Sequence, residues 1–289
     1  MFSSEKFTPY RLVGLAVLVE LGFVIVPLVI GFWYSVNRVQ FFQIRGFTGF
    51  DNYWRVLTSP SVANALTVTI TFSVISLVLT FVIGFGLAMW LERSNRLNGI
   101  MQAVVLIPYM IAMLVGSMLL KWVFSKESGL SDLVLAPMAM GDVSILADPD
   151  TAMAALVYNA IWRDSAFAMI MLLAGLKSIP AHLQLAARVD GASAWYRFRR
   201  ITLPLLQVPI FITVIRLFIH LVNTLTYPLI LTGGGPGTST ETVVLKMYRL
   251  GFNDNVLGQA NALAIMVFIV NIALVAVLLR FFKKAGNIQ

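Results

Sequence analysis

The sequence predicts an all-α integral membrane protein with six transmembrane helices, on the strength of its composition, the length of its apolar runs and the sorting of its charges. Of 289 residues, 59% are hydrophobic and only 12% charged, and mean hydropathy is +0.86, so lipid is the main solvent. In lipid every backbone N–H and C=O must be paired within the protein, which leaves helices or a closed barrel. The runs are about 20 residues or longer, not alternating strands of about 10, and that selects helices.

The spans fall in order at about 12–35, 62–91, 98–123, 151–176, 201–231 and 257–281. The first follows Lys6 and Arg11 without a convincing small-x-small cleavage site, so it reads as a retained anchor. The second carries Ser73, Ser76 and Thr80 on one face, a pattern suited to helix packing. The fifth exceeds what a bilayer needs and is expected to project past one face or to break near Pro204 or Pro209. The domain plan is an N-terminus at 1–11, a six-span membrane body at 12–284 with a large loop at 177–200, and a tail at 285–289.

Charge fixes the expected orientation. One set of segments carries Lys6, Arg11, Arg93, Arg96, Lys177, Arg188, Arg197, Arg199, Arg200, Arg280, Lys283 and Lys284 against Glu5, Glu92 and Asp190. The opposite set has Arg38, Arg45, Arg55, Lys126, Lys246 and Arg249 against Asp51, Glu127, Asp132, Asp142, Asp148, Asp150, Glu241 and Asp254. The excess of cations on the first side puts both termini and the 177–200 loop in the cytoplasm.

That loop reads as two short helices joined by a bend. Pro180 suits a first helical turn, and Leu183, Ala186 and Ala187 make a small apolar face. Asp190 is a candidate N-cap for the second helix, beside a Gly191 that tolerates the corner. Trp195, Phe198 and Ile201 recur at helical spacing and are expected against the membrane or the neighbouring spans.

The run Leu185-Ala186-Ala187-Arg188-Val189-Asp190-Gly191-Ala192, continuing through Phe198 to Leu203-Pro204, resembles the Glu-Ala-Ala cytoplasmic loop of the permease subunits of bacterial ATP-binding-cassette (ABC) importers. The family's glutamate falls on Leu185. The resemblance implies that Leu185, Ala186, Ala187, Arg188, Asp190, Gly191 and Ala192 meet a separate ATPase, and it implies the type I importer permease architecture.

Gly49-Phe50-Asp51-Asn52-Tyr53, Thr232-Gly233-Gly234-Gly235-Pro236 and Gly258-Gln259-Ala260-Asn261-Ala262 are similar to elements of the carbohydrate-uptake (maltose/glycerol-phosphate) branch. The glycine-rich element is of the kind found in the larger maltose permease subunit. This implies a bacterial inner-membrane importer of a sugar or sugar derivative working by alternating access. Its implied partners are a second permease, two ABC ATPases that carry ATP and Mg, and an extracytoplasmic solute-binding protein.

Polar residues inside spans mark a solute pathway, because they are costly in lipid. Tyr158, Asn159, Trp162 and Arg163 lie mid-way along the fourth span; Arg216, His220, Asn223 and Tyr227 follow one face of the fifth. Rings beside amide and hydroxyl donors suit a sugar. The competing reading is structural: Arg163 or Arg216 pairs with Asp164 or Glu20, and the asparagines join helices. His220 reads as a buried hydrogen-bonding partner.

No phosphate-binding Gly-x-x-x-x-Gly-Lys-Ser/Thr loop, His-Glu-x-x-His or cysteine occurs, so no nucleotide, zinc-protease or thiol chemistry is expected from this chain itself, and no bound cofactor. The charge of +8 is accounted for by topology, without nucleic acid. An autonomous six-span channel or secondary carrier is the alternative; it has no use for an ATPase-docking loop.

Overall fold

The computed structural model describes residues 8–93, 95–126, 130 and 144–286. Glu5, Lys6, Glu127, Asp132 and Asp142, which entered the charge sorting, lie outside these, as do residues 1–7 of the N-terminus and 287–289 of the tail.

In chain order the elements are α1 (Thr8–Ser35), β1 (Asn37–Gln40), β2 (Gln43–Phe47), α2 (Asp51–Leu57), α3 (Pro60–Trp90), α4 (Arg96–Met110) and α5 (Met113–Val123). Then come α6 (Pro149–Lys177), α7 (Ala181–Val189), α8 (Ala194–Arg197), α9 (Leu203–Leu205), α10 (Gln207–Asn223), α11 (Val243–Tyr248) and α12 (Leu257–Gly286). Among the described residues, five helices are long and apolar enough to cross a membrane; α4 and α5, bent by 93°, make a sixth span when counted together.

Two expected spans are therefore not straight helices. The third breaks at Ile111 and Ala112, both extended (ψ 136° and 133°). Pro108, one turn earlier, has no N–H and has already weakened the ladder there. The fifth breaks at Leu206, between the two expected prolines, and again at Thr224, which is extended before a π-turn at Pro228–Thr232. The all-helical expectation also misses the hairpin β1–β2, whose Phe41 and Phe42 both adopt positive φ at a two-residue turn.

Chain contacts divide the protein into two units, Met1–Ala63 with Lys246–Ala273, and Asn64–Leu245 with Leu274–Gln289. In the first unit, the Asn-Tyr element acts as a clasp on the end of α1. Buried Asn52 donates to the carbonyls of Ser35 (2.8 Å) and Asn37 (2.9 Å), and Tyr53 pairs its hydroxyl with Ser35 (2.6 Å). Gly258 is glycine for the same reason: a Cβ there would press on the Asn37 carbonyl and the Asn52 amide.

In the second unit α6 is the central helix. It starts on an Asp148 cap that accepts from Asp150 N–H (3.0 Å) and Thr151 N–H (3.2 Å), with Pro149 at the first position. The small-residue face of α3, from Ser73 through Ser76 and Thr80 to Gly84 and Ala88, is buried throughout. At Gly84 the contact with α6 is close enough that a Cβ would meet Ala168 and lie 2.9 Å from the Ser165 carbonyl. Gly175 does the same on the other side, where Pro209 of α10 packs in; a Cβ would be 2.6 Å from its ring. Phe72, Leu156, Leu221, Tyr227 and Leu231 form one apolar core of this unit, and Leu91, Met169, Leu172 and Leu206 another.

Candidate functional site

Two regions hold the candidate functional residues, a largely buried polar cluster on α6 and α10 and the exposed loop after α6. Asp164 is the hub of the cluster, with none of its surface exposed. Tyr227 donates its hydroxyl to Asp164 Oδ2 (3.0 Å), and His220 Nε2 lies 3.3 Å from the same oxygen and 3.5 Å from that hydroxyl. Arg163 approaches the other carboxylate oxygen at 3.5 Å. Its Nη2 also donates to the Tyr109 carbonyl (3.3 Å), so a cation caps the end of α4 just where the span breaks.

Arg216 is held differently. Its Nη2 donates to the Tyr109 hydroxyl (3.0 Å), and its guanidinium sits 4.0 Å over the ring of Phe167. Tyr109 thus serves both arginines, with Arg163 4.9 Å over its ring.

The structure thus brings Arg163, Arg216, His220 and Tyr227 together. The remaining expected pathway residues lie apart from that knot. Buried Asn159 donates to Ser117 of α5 (2.9 Å), the helix-joining role weighed for asparagines. Trp162 packs over Gly116, where a Cβ would come within 3.3 Å of its ring. Tyr158 is half exposed and edge-on to Phe124, and exposed Asn223 donates back to the Ile219 carbonyl (2.8 Å). Tyr109 and Ser117 are not marked by sequence pattern, because they come from α4 and α5, and Phe167 is one apolar ring among the many apolar residues of α6. Among the described residues no group of histidines and acids is placed to hold a metal ion.

The loop is an exposed, hydrogen-bonded corner. α7 ends with Gly191 at φ +76°, closed by Gly191 N–H to Arg188 O (3.1 Å) and Ala192 N–H to Ala187 O (2.9 Å). This is the paired bonding of a Schellman end, in which a glycine takes the left-handed position. Asp190 therefore terminates the first helix and does not cap the second. The second begins only after the corner, where Ser193 accepts from Tyr196 N–H (3.2 Å). Gln184 donates to Thr202 (3.1 Å) and Arg197 to the Ala192 carbonyl (3.0 Å), tying both arms down. Trp195 stacks on Phe198, which meets Phe85 of α3, as their spacing suggested.

No residue of α7 is buried: Leu185 is 58% and Val189 88% exposed. Beside it runs a groove lined by Glu92, Lys177, Gln184, Leu185 and Arg188, so a carboxylate from the end of α3 stands where Leu185 offers none.

Comparison with known proteins places these membrane spans in a class of membrane permease. Residues 80–285 match the family of binding-protein-dependent transport system inner membrane components. The trehalose/maltose transport system permease MalF of Thermococcus litoralis is 32% identical over 91% of this chain and 89% of its own length. The sulfoquinovosyl glycerol permease SmoG of Agrobacterium fabrum is 32% identical over 82% and 77%. The sn-glycerol-3-phosphate permease UgpA of the same organism is 32% identical over 97% and 96%. Among solved structures, a bacterial ABC transporter importing the acidic polysaccharide alginate shares the fold with a TM-score of 0.85 at 22% identity, over 97% of this chain and 96% of that one.

The chain belongs to the family of binding-protein-dependent transport system inner membrane components. It is a multi-pass permease subunit, and ATP hydrolysis resides in separate subunits of such systems.

Proposed function

We propose that this chain and a second permease of similar size form the membrane pathway for a sugar or sugar derivative, driven by two ABC ATPases that carry ATP and Mg. An extracytoplasmic solute-binding protein delivers the solute. The relatives support the solute class, since their names give trehalose or maltose, sulfoquinovosyl glycerol and glycerol 3-phosphate. Both termini and the 177–200 loop face the cytoplasm, on the charge asymmetry above. The body at 12–284 is one transport domain.

The observation that carries the mechanism is α7, closed at Gly191 and without a buried residue. A closed helix with no buried residue and an exposed Leu185 and Val189 makes sense as a preformed docking element. Leu185, Ala186, Ala187, Arg188, Asp190, Gly191 and Ala192 transmit closure of the ATPase pair to α6 and α10, which flank the loop. Tyr158, Asn159, Trp162, Arg163, Arg216, His220, Asn223 and Tyr227 line or shape the pathway that alternates between the two faces. Gly191→Pro tests this, because proline fixes φ near −65° and removes an N–H that closes the corner. The variant is expected to insert but to lose uptake and solute-stimulated ATP hydrolysis. Retention of both would overturn the docking assignment.

A further inference from the structure

The cluster on α6 and α10 contains two guanidiniums and a single carboxylate. Arg163, Tyr227 and His220 all converge on Asp164. Arg216 has no ion-pair partner among the described residues. Its charge is met by ring faces, Phe167 at 4.0 Å and Tyr109 at 5.9 Å, which attract a cation without cancelling it. Two guanidinium nitrogens, Arg216 Nη1 and Arg163 Nε, are buried without a hydrogen-bond partner.

A half-buried cation whose spare donors are themselves buried inside a span is expensive unless an anion reaches it. The planar fork of a guanidinium matches the oxygens of a phosphate, sulfonate or carboxylate. Tyr109 holds the two arginines around a single ring, so one anionic group can be offered donors from both.

We propose that the solute of this permease carries an anionic group, and that Arg216, with Arg163, receives it during passage. The inference rests on the reading of the chain as a permease for sugars and their derivatives, and narrows that class to its acidic members.

The test uses the whole transporter, both permeases, the ATPase pair and the cognate binding protein, in proteoliposomes. The labelled probes are maltose, trehalose, sn-glycerol 3-phosphate, sulfoquinovosyl glycerol and an alginate oligosaccharide. The expected result is uptake of one or more of the acidic probes and of neither neutral one. Arg216→Gln is expected to lower that uptake at least tenfold, with Arg216→Lys retaining an intermediate rate. If Arg216→Gln fails to assemble, the wild-type probe panel still decides. Uptake of a neutral probe alone, or acidic uptake unchanged in Arg216→Gln, overturns the inference and leaves the sugar permease intact. Uptake of no probe removes the sugar reading, and this inference with it.

Discussion

The α7 corner and the Asp164 cluster lie at opposite extremes of solvent contact within the same unit. α7 buries nothing and is held by backbone closure at Gly191, by Gln184–Thr202 and by Arg197–Ala192. Asp164 and Tyr227 expose no surface, and their order depends on charges and hydroxyls reaching across three helices. A docking surface has to be shaped before its partner arrives but must not depend on that partner for folding. A polar site within a span has the reverse constraint, because every unpaired group there costs the fold itself. Mutations should therefore separate the two regions: the cluster through stability, the corner through assembly and coupling.

The largest stability effect is expected from Asp164→Ala. It leaves the mostly covered Arg163 without its acid and removes an acceptor from Tyr227 and His220, which should cost about 3 kcal/mol in unfolding of the purified subunit in detergent. Stability within 1 kcal/mol of wild type would mean that the cluster is not the tight knot described. Next comes Gly84→Leu, which drives a side chain into Ala168 and Ser165 on α6. Overpacking of this kind costs about 1–3 kcal/mol, and the same unfolding assay reads it.

Smaller and more local is Gly191→Ala, which must hold a Cβ at φ +76° at a cost of about 1–2 kcal/mol. That cost is expected as faster amide exchange confined to residues 181–192, with global unfolding unmoved. Smallest in the isolated subunit is Leu185→Ala, at a half-exposed position where a change within about 0.5 kcal/mol is expected. In the assembled transporter the same variant should release ATPase on washing. A variant silent in both settings would separate Leu185 from the interface.

The sequence made different parts of this molecule legible for different reasons. Apolar run length located the spans, since lipid enforces it residue by residue. It did not reveal the bend at Ile111–Ala112, where the freed Tyr109 carbonyl is satisfied by Arg163, 54 positions away. The stretch Asn37–Phe47 became a hairpin, and its first residue is bonded by Asn52, a tertiary contact that strand patterning does not carry. The Gly191 bend was readable because few residues tolerate a left-handed corner. The role of Asp190 was not, because Asp-Gly suits a helix end as well as a helix start.

Family-like elements at Asn52-Tyr53 and Gly258 proved to be mutually packed structural parts. In the cluster, the α10 stripe of Arg216 and His220 followed from helical spacing. The aromatic partners Tyr109 and Phe167 did not, since nothing local sets a packed ring apart from a lipid-facing one. The pairing of Arg163 with Asp164, set out as an alternative, is what the structure shows; Arg216 found rings instead of an acid.

The central claim is that the α7 corner meets the ATPase. The chain has no cysteine, so a single introduced thiol can be labelled without background. In the assembled transporter, Leu185→Cys and Val189→Cys would each be coupled to a benzophenone maleimide and irradiated, with Phe42→Cys, on the side that the proposed topology makes extracytoplasmic, as the reference. The account predicts adducts containing the ATPase subunit from both α7 positions and none from Phe42→Cys. Adducts from α7 that contain the solute-binding protein, or no ATPase adduct from either position, would contradict it.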